Sequence, residues 1–350
     1  MPGDLHAVIR GRAFAGWTSI RVSASVDDLA VSFDLAAPRA PGRLDVAPGD
    51  PVTITIDDQP VIVGHCNAVR RSGRATSREI QIAGRSLAGD LCDSSVIERH
   101  TWRETDPLAV ARGIVDPIAV PVRSAVAGLP LVRFRTEVGE ERATALDRLA
   151  KPLAARWRSL ADGSIELARV DPARAPIGSI VRGHNVVAFD VEERDDERFS
   201  DYVFRAQLAT DDELSGDAAA NVDAAVSDPG VARYRPLVLT DDTQGGRVAL
   251  RLRAAWERNT RAARATRLRY EIVDPVDGRR SWYAGGSRLW WPWEIVTVSD
   301  PEEGIAGRWL VARVELTRAA DRWATSVDLV APGAYDPEPT PPARRGVESW

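Results

Sequence analysis

Lysine is almost missing from this chain of 350 residues. Lys151 is the only one, so the basic side chains are nearly all arginine, and Met1 is the only methionine. Both scarcities read as the coding bias of a GC-rich genome rather than as a functional demand. Cysteine is nearly as rare. Cys66 and Cys92 fit no metal or redox spacing and are too few for a disulfide framework, so they are read as buried, reduced thiols of a protein made in a cytoplasm. Histidine is limited to His6, His65, His100 and His184, scattered without a shared motif. There is no His-Glu-x-x-His, no Gly-x-Ser-x-Gly and no Cys/His catalytic signature. The expectation is therefore a protein that is not an enzyme and carries no metal or cofactor. The N-terminus, Met1-Pro2-Gly3-Asp4, lacks the basic and apolar regions of a signal peptide. No apolar run approaches bilayer length, so no membrane insertion is expected. Passage to the outside would happen as part of something larger. A net charge of −5 argues against broad, unspecific nucleic-acid binding.

What is present is an ordinary globular composition, 44% apolar and 28% charged, in a chain too long for one typical core. Residues 1–95 alternate apolar and polar positions in short runs. Val52, Ile54 and Ile56 share one face of a strand, Asp57-Asp58-Gln59-Pro60 turns, and Val61-Ile62-Val63-Gly64 returns as the partner strand. Arg78 to Ala83 gives a further strand before Gly84. This segment is read as a first antiparallel β-barrel. Residues 96–170 change character. Asp106-Pro107 is a helix start, with Asp as N-cap and Pro at the first helical position, followed by an apolar stripe of Leu108, Ala111, Ile114 and Val115. A second helix from about Glu140 places Leu146, Leu149, Ala150, Leu153 and Trp157 on one face. Pro152 is expected to kink or interrupt it, and Ser164–Leu167 to form a strand. This is a small α/β domain.

Residues 171–245 carry strands at 185–191 and 201–208 that would complete the barrels, and a polar loop from Asp211 to Pro229. Residues 246–335 supply a helix to about Ala265 and a second β-barrel, with strands at 295–298, 309–316 and 326–330. The proline-rich tail 336–350 is a linker or docking tail. Asp57 to Gly64 and Asp300 to Gly307 are equally spaced, each between β-branched strands, an echo that suggests similar β domains near the two ends of the chain. The fold class is mostly β (α+β).

Three groups of residues invite a sharper chemistry. Asp57-Asp58, Asp195-Asp196, Asp211-Asp212-Glu213 and Asp241-Asp242 are candidate acid pairs for glycoside hydrolysis, but all lie in turn-like runs where solvated Asp is usual. Asp211 to Asp217 loosely follows a calcium loop without its closing acidic residue. Trp282, Trp290, Trp291 and Trp293 could form a sugar platform. Core and subunit contact is the favoured reading, with Trp291 or Trp293 facing outward. The arginines from Arg247 to Arg269 offer a contact for DNA with steep salt dependence, or pairing with acidic neighbours across a subunit boundary, which is preferred.

An ordered set of landmarks carries a family resemblance. Gly16-Trp17 with Arg21-Val22, Gly49-Asp50 with Val52, Gly84-Arg85-Ser86 with Asp90-Leu91, Tyr234-Arg235-Pro236-Leu237, Arg253-Ala254 with Trp256-Glu257, and Leu289-Trp290 with Pro292, Val296, Val298 and Asp300 occur in family order over most of residues 5–335. In these the chain resembles the baseplate hub proteins of Mu-like contractile-tailed phages, the late-control or tail-hub family. It departs from the pattern at Ser281–Trp293, which is denser in tryptophan. The resemblance implies a structural homotrimer in the virion tail baseplate, synthesised in the host cytoplasm. Two barrels per chain would give a pseudo-sixfold ring that stacks on the tail tube, or on a tube initiator. The opposite face would take a threefold spike, wedge proteins would surround it, and DNA would pass only in transit through the channel.

The residues singled out are structural and interfacial: Trp17, Arg85, Asp90, Tyr234, Arg235, Trp256, Glu257, Trp290 and Trp291. Arg85 and Asp90 are expected to hold the corner of the first barrel by a charge-assisted hydrogen bond, and Tyr234 to pack against the helix. The alternatives are a carbohydrate-binding or glycan-degrading tail component and the hub part of a type VI secretion spike.

Overall fold

Strict alternation over Pro51–Ile56 buries Val52, Ile54 and Ile56 on one face. Asp57 and Asp58 then take left-handed backbone angles, φ 47° and 64°, which suit a tight hairpin. The chain returns as the long strand Gln59–Gly73 and folds back again as Arg78–Ser86. The computed structural model describes residues 4–38, 45–74, 77–127, 131–206, 222–240, 246–286, 288–320 and 322–339. Two compact units result, one from Met1–Asp190 and Leu268–Leu329, the other from Val191–Arg267 and Val330–Trp350.

In the larger unit the echo seen in the sequence becomes a structural repeat. Pro51–Ile56, Gln59–Gly73 and Arg78–Ser86 are strands of 6, 15 and 9 residues, and Ile295–Asp300, Ile305–Ala319 and Arg322–Val330 have the same three lengths in the same order. The sets meet where Arg313–Ala319 pairs antiparallel with Ser19–Ser25, which continues through Ser32–Pro38 to Arg78–Ser86. The outcome is one hydrogen-bonded set of 13 strands running from Val186–Glu193 to Arg12–Phe14. The two β regions placed at the ends of the chain by sequence therefore share one sheet.

A second core lies under the helices of the same unit. Helix α1 spans Ala88–Asp93. Helix α2, Pro107–Val115, starts as its sequence dictates, the Asp106 carboxylate accepting from the Leu108 amide at 3.0 Å. Helix α3, Arg142–Ala150, ends in a 3₁₀ turn, Lys151–Leu153. Pro152 thus interrupts the helix, and Ala154, the residue after the 3₁₀ turn, goes left-handed with φ 53°. Val110, Ala111, Ile114, Leu146, Leu149 and Trp157 form the core, and the Trp157 indole N–H donates to the Leu146 carbonyl at 2.8 Å.

Of the two strands expected to complete the barrels, Val186–Glu193 joins the large sheet, whereas Asp201–Ala206 belongs to the smaller unit. Val222–Ser227, Asp201–Ala206 and Pro236–Thr240 form a three-stranded sheet, the last two parallel. Helix α4, Gly246–Arg264, covers it through Leu250 and Ala254, against Tyr202, Phe204 and Ala224. Val222–Ser227 falls in the stretch read as a loop. Its Asp and Ala residues have low strand propensity, and pairing with Asp201–Ala206 overrides it. The calcium-like run Asp211–Asp217 and Asp241-Asp242 lie outside the described residues.

Cys66 and Cys92 are free thiols. Burial, with Asp50 nearby, pushes the Cys66 thiol up to about 11. The unfolded chain gives up this proton first as pH rises past about 9, while the native state keeps it, so stability falls between pH 9 and 11 and is untouched below. Relative to Cys66→Ala, the protein should lose about 3 kcal/mol over that window at about 1.4 kcal/mol per pH unit. Urea titrations across pH 8 to 11 check it, and parallel declines in the two proteins would refute it.

Candidate functional site

The Gly84-Arg85-Ser86 landmark ends the strand Arg78–Ser86, and each residue has a separate task. Gly84 lies opposite Phe33 on one side and Cys66 on the other. A methyl group there would stand 2.1 Å from the His65 carbonyl oxygen and 2.5 Å from the Phe33 ring. Ser86 is buried. Its hydroxyl accepts from the Val31 amide at 3.1 Å and lies 3.2 Å from the Ser159 hydroxyl, tying the first strands to the α/β core. The Arg85 guanidinium pairs with Asp93, one helical turn beyond the expected Asp90. Asp90 instead faces His65 Nδ1 at 3.1 Å. Both aspartates lie on α1 three residues apart, and the longer arginine side chain reaches the farther one.

Asp57, just after the first strand of one repeat, and Asp300, the last residue of the first strand of the other, share a partner type. Tyr283 Oη donates to Asp57, and Tyr270 Oη donates to Asp300 at 3.0 Å. Asp300 is buried and also lies 3.4 Å from Arg182. Burial, then the hydrogen bond to Asp300, raises the Tyr270 hydroxyl above the ordinary phenol range. The sequence reading missed Tyr270 and Arg182, although the Asp57/Asp300 echo pointed at their partners. Asp195 and Asp196, weighed as catalytic acids, are held by Arg233 at 2.6 Å and Arg194 at 2.5 Å. Among the described residues no cluster of His, Cys, Asp or Glu is placed to hold a metal ion.

The tryptophans divide. Trp17, Trp282, Trp290 and Trp293 are buried, and only Trp291 of the cluster is partly exposed. Trp293, one of two expected to face outward, faces inward. Its φ of 74° turns the backbone, and the Arg158 guanidinium lies 5.3 Å from its ring. The Trp282 indole N–H donates to the Thr317 carbonyl at 2.9 Å, and the Trp282 carbonyl accepts from the Trp290 amide.

On α4 most arginines find partners within the smaller unit. Arg261 reaches Glu257 at 2.7 Å, Arg253 reaches Glu338 at 2.5 Å, and Arg264 donates to the Ala334 carbonyl at 2.9 Å. The Trp256 indole donates to the Asp336 carbonyl at 2.8 Å, so the start of the proline-rich tail docks on this helix. Arg247 and Arg251 are exposed. Tyr234 does not pack against the helix; it is 86% exposed, because Arg235 turns inward. The Arg235 guanidinium donates to the Asp195 and Asp196 carbonyls and lies 5.0 Å from the Phe199 ring.

Residues 4–86 match the family model of the Mu phage baseplate assembly protein GpP-like N-terminal domain. The baseplate hub protein gp44 of Escherichia phage Mu is 29% identical over 320 residues, covering 87% of this chain and 82% of that protein. The 43 kDa tail protein of prophage MuSo2 from Shewanella oneidensis superposes with a TM-score of 0.81 at 22% identity, over 95% of this chain and 99% of that one. The E. coli c3393 protein is a component of the type VI secretion system, described as structurally similar to the T4 tail proteins gp27 and gp5. It shares the fold at a TM-score of 0.55 and 9% identity, over 93% of this chain and 76% of that one. At these identities the two structures speak for fold alone. Across most of its length the chain is similar to a baseplate hub protein of phage Mu, and its residues 4–86 match the model of the GpP-like N-terminal domain.

Proposed function

We propose that this chain is a structural, non-enzymatic hub of a contractile tail baseplate. It acts as a homotrimer that joins a sixfold tail tube to a threefold central spike and lines part of the channel through which DNA leaves. The observation that carries the reading is the repeated set of 6-, 15- and 9-residue strands within one chain. Three chains, each with two equivalent β modules, present six such modules to a sixfold tube while keeping a true threefold axis for a spike. In the ring each repeat would close as a barrel. The phage Mu relative is a baseplate hub protein, which agrees with it. Tube, spike and surrounding wedge proteins are the partners, and the place of work is the virion tail baseplate. Among the described residues no helix is long and apolar enough to cross a membrane.

A type VI secretion hub is the second reading, favoured by the fold shared with the E. coli type VI component. The two readings share the hub architecture and differ in the spike they carry.

The test is the mass of the purified chain in solution by light scattering, in low and in high salt. The expected mass is three times the 38.1 kDa of one chain. Dissociation in high salt would assign the cohesion to exposed arginines such as Arg247 and Arg251. A monomer in both buffers would refute a trimer that forms without its partners.

A further inference from the structure

Arg142 begins helix α3 and is only 7% exposed. Its Nη1 donates to the Ile114 carbonyl at 2.5 Å, while its Nε is buried with no acceptor. Among the described residues no carboxylate pairs with it. Arginine stays charged at any accessible pH and offers five donors in a rigid fork, so a buried guanidinium holding one backbone carbonyl is a charge waiting for a counter-ion. The start of α3 carries no side-chain cap, and the positive end of the helix adds to the same potential.

This guanidinium lines a cavity of about 260 Å³ together with Thr136, Ile114 and Trp102. Thr136 is 1% exposed, and its hydroxyl accepts from the His100 amide at 3.1 Å, leaving its own proton to donate. Glu98 is the one acidic residue of the lining, and it is exposed and makes no ion pair with Arg142. Ile97, beside it, is 80% exposed. Two buried donors behind an aromatic and aliphatic wall form a site for an anion that carries an apolar body.

We propose that this cavity binds a carboxylate of a protein partner. Arg142 and Thr136 hold the carboxylate, while Trp102, Ile114 and Ile97 cover the apolar part of the segment that bears it. A planar carboxylate matches the arginine fork in a way that a neutral amide cannot. The site lies within one chain and does not depend on the hub reading.

The full chain labelled with 5-fluorotryptophan provides the readout, the Trp102 fluorine signal being assigned through Trp102→Phe. The probe is acetyl-Leu-Asp-Leu-amide. It should shift the Trp102 signal in a saturable way, and the Asn counterpart should bind at least about tenfold more weakly. Acetyl-Leu-Leu with a free terminal carboxylate separates the two sources. Whichever carboxylate binds tighter tells whether the partner offers an acidic side chain or a chain end. Arg142→Lys should weaken the Asp peptide at least about tenfold, since a point charge replaces the fork. Should that variant lose the dispersion of its other tryptophan signals, Thr136→Val serves instead, with a loss of several-fold. Equal titrations by the Asp and Asn peptides, no shift up to the solubility limit, or a shift by inorganic phosphate at lower concentration than either carboxylate peptide would each overturn the proposal.

Discussion

Gly84→Ala is expected to abolish the stable fold of the larger unit, or to lower its melting temperature by roughly 6 to 12 °C if some of it folds. The added methyl would meet the His65 carbonyl oxygen at 2.1 Å, and the Phe33 ring at 2.5 and 2.7 Å. The ring could swing aside at the expense of its own burial. The carbonyl cannot, because it belongs to the long strand Gln59–Gly73, which is fixed by pairing on both sides. Overpacking ordinarily costs about 1 to 3 kcal/mol, and a contact with backbone belongs at or above the top of that range. A domain stable by about 5 to 15 kcal/mol loses much of its margin to one such change. Combining it with Phe33→Ala should not restore stability, since the carbonyl contact persists. Gly278→Ala is the control: nothing stands within 4 Å of the methyl it would add, and the change should stay within about 0.5 kcal/mol. Thermal melts of the three variants decide it. A Gly84→Ala protein that melts with the parent would mean that the two strands do not approach as closely as described.

Why that glycine is there was only half legible in the sequence. Gly84-Arg85-Ser86 stood out as a landmark, but the close approach of His65 is a tertiary fact that no local pattern carries. Elements set by local chemistry were readable. The alternation of Val52, Ile54 and Ile56 gave a strand, Asp106-Pro107 gave the start of α2, and the Asp57/Asp300 spacing gave the repeated hairpin. Elements set by distant partners were not. Val222–Ser227 is a strand because Asp201–Ala206 lies beside it, and the strands at 201–240 join α4 rather than the large sheet. The choice of Asp93 over Asp90 by Arg85 turns on side-chain reach across one turn of α1. Spacing alone allowed either. The burial of Trp293 rests on a left-handed backbone angle that a tryptophan rarely adopts, so it could not be read from composition.

The tryptophan cluster separates a structural hub from a glycan-binding tail component, and two substitutions make the contrast. Trp282 is fully buried, and its indole N–H donates to the carbonyl of Thr317. Thr317 lies in the segment Arg313–Ala319 that joins the second strand repeat to Ser19–Ser25. Trp282→Ala removes the largest side chain of this junction, at about 3 to 5 kcal/mol. It also leaves the Thr317 carbonyl without its indole donor, for about 1 kcal/mol or more beyond that. The larger unit should then fail to fold, or fold only at low temperature. Trp291 is the partly exposed member of the group, so Trp291→Ala should cost less than about 1 kcal/mol. It should also lower the solution mass toward that of one chain, because Trp291 is the member of the cluster left partly exposed to make the expected subunit contact. Urea titration, light scattering and a glycan-binding screen on both variants check this. Were Trp291→Ala to keep its fold and mass yet lose binding to a soluble glycan that the parent retains, the carbohydrate reading would displace the structural one. A Trp282→Ala protein as stable as the parent would place the indole outside the core and break the argument at its first step.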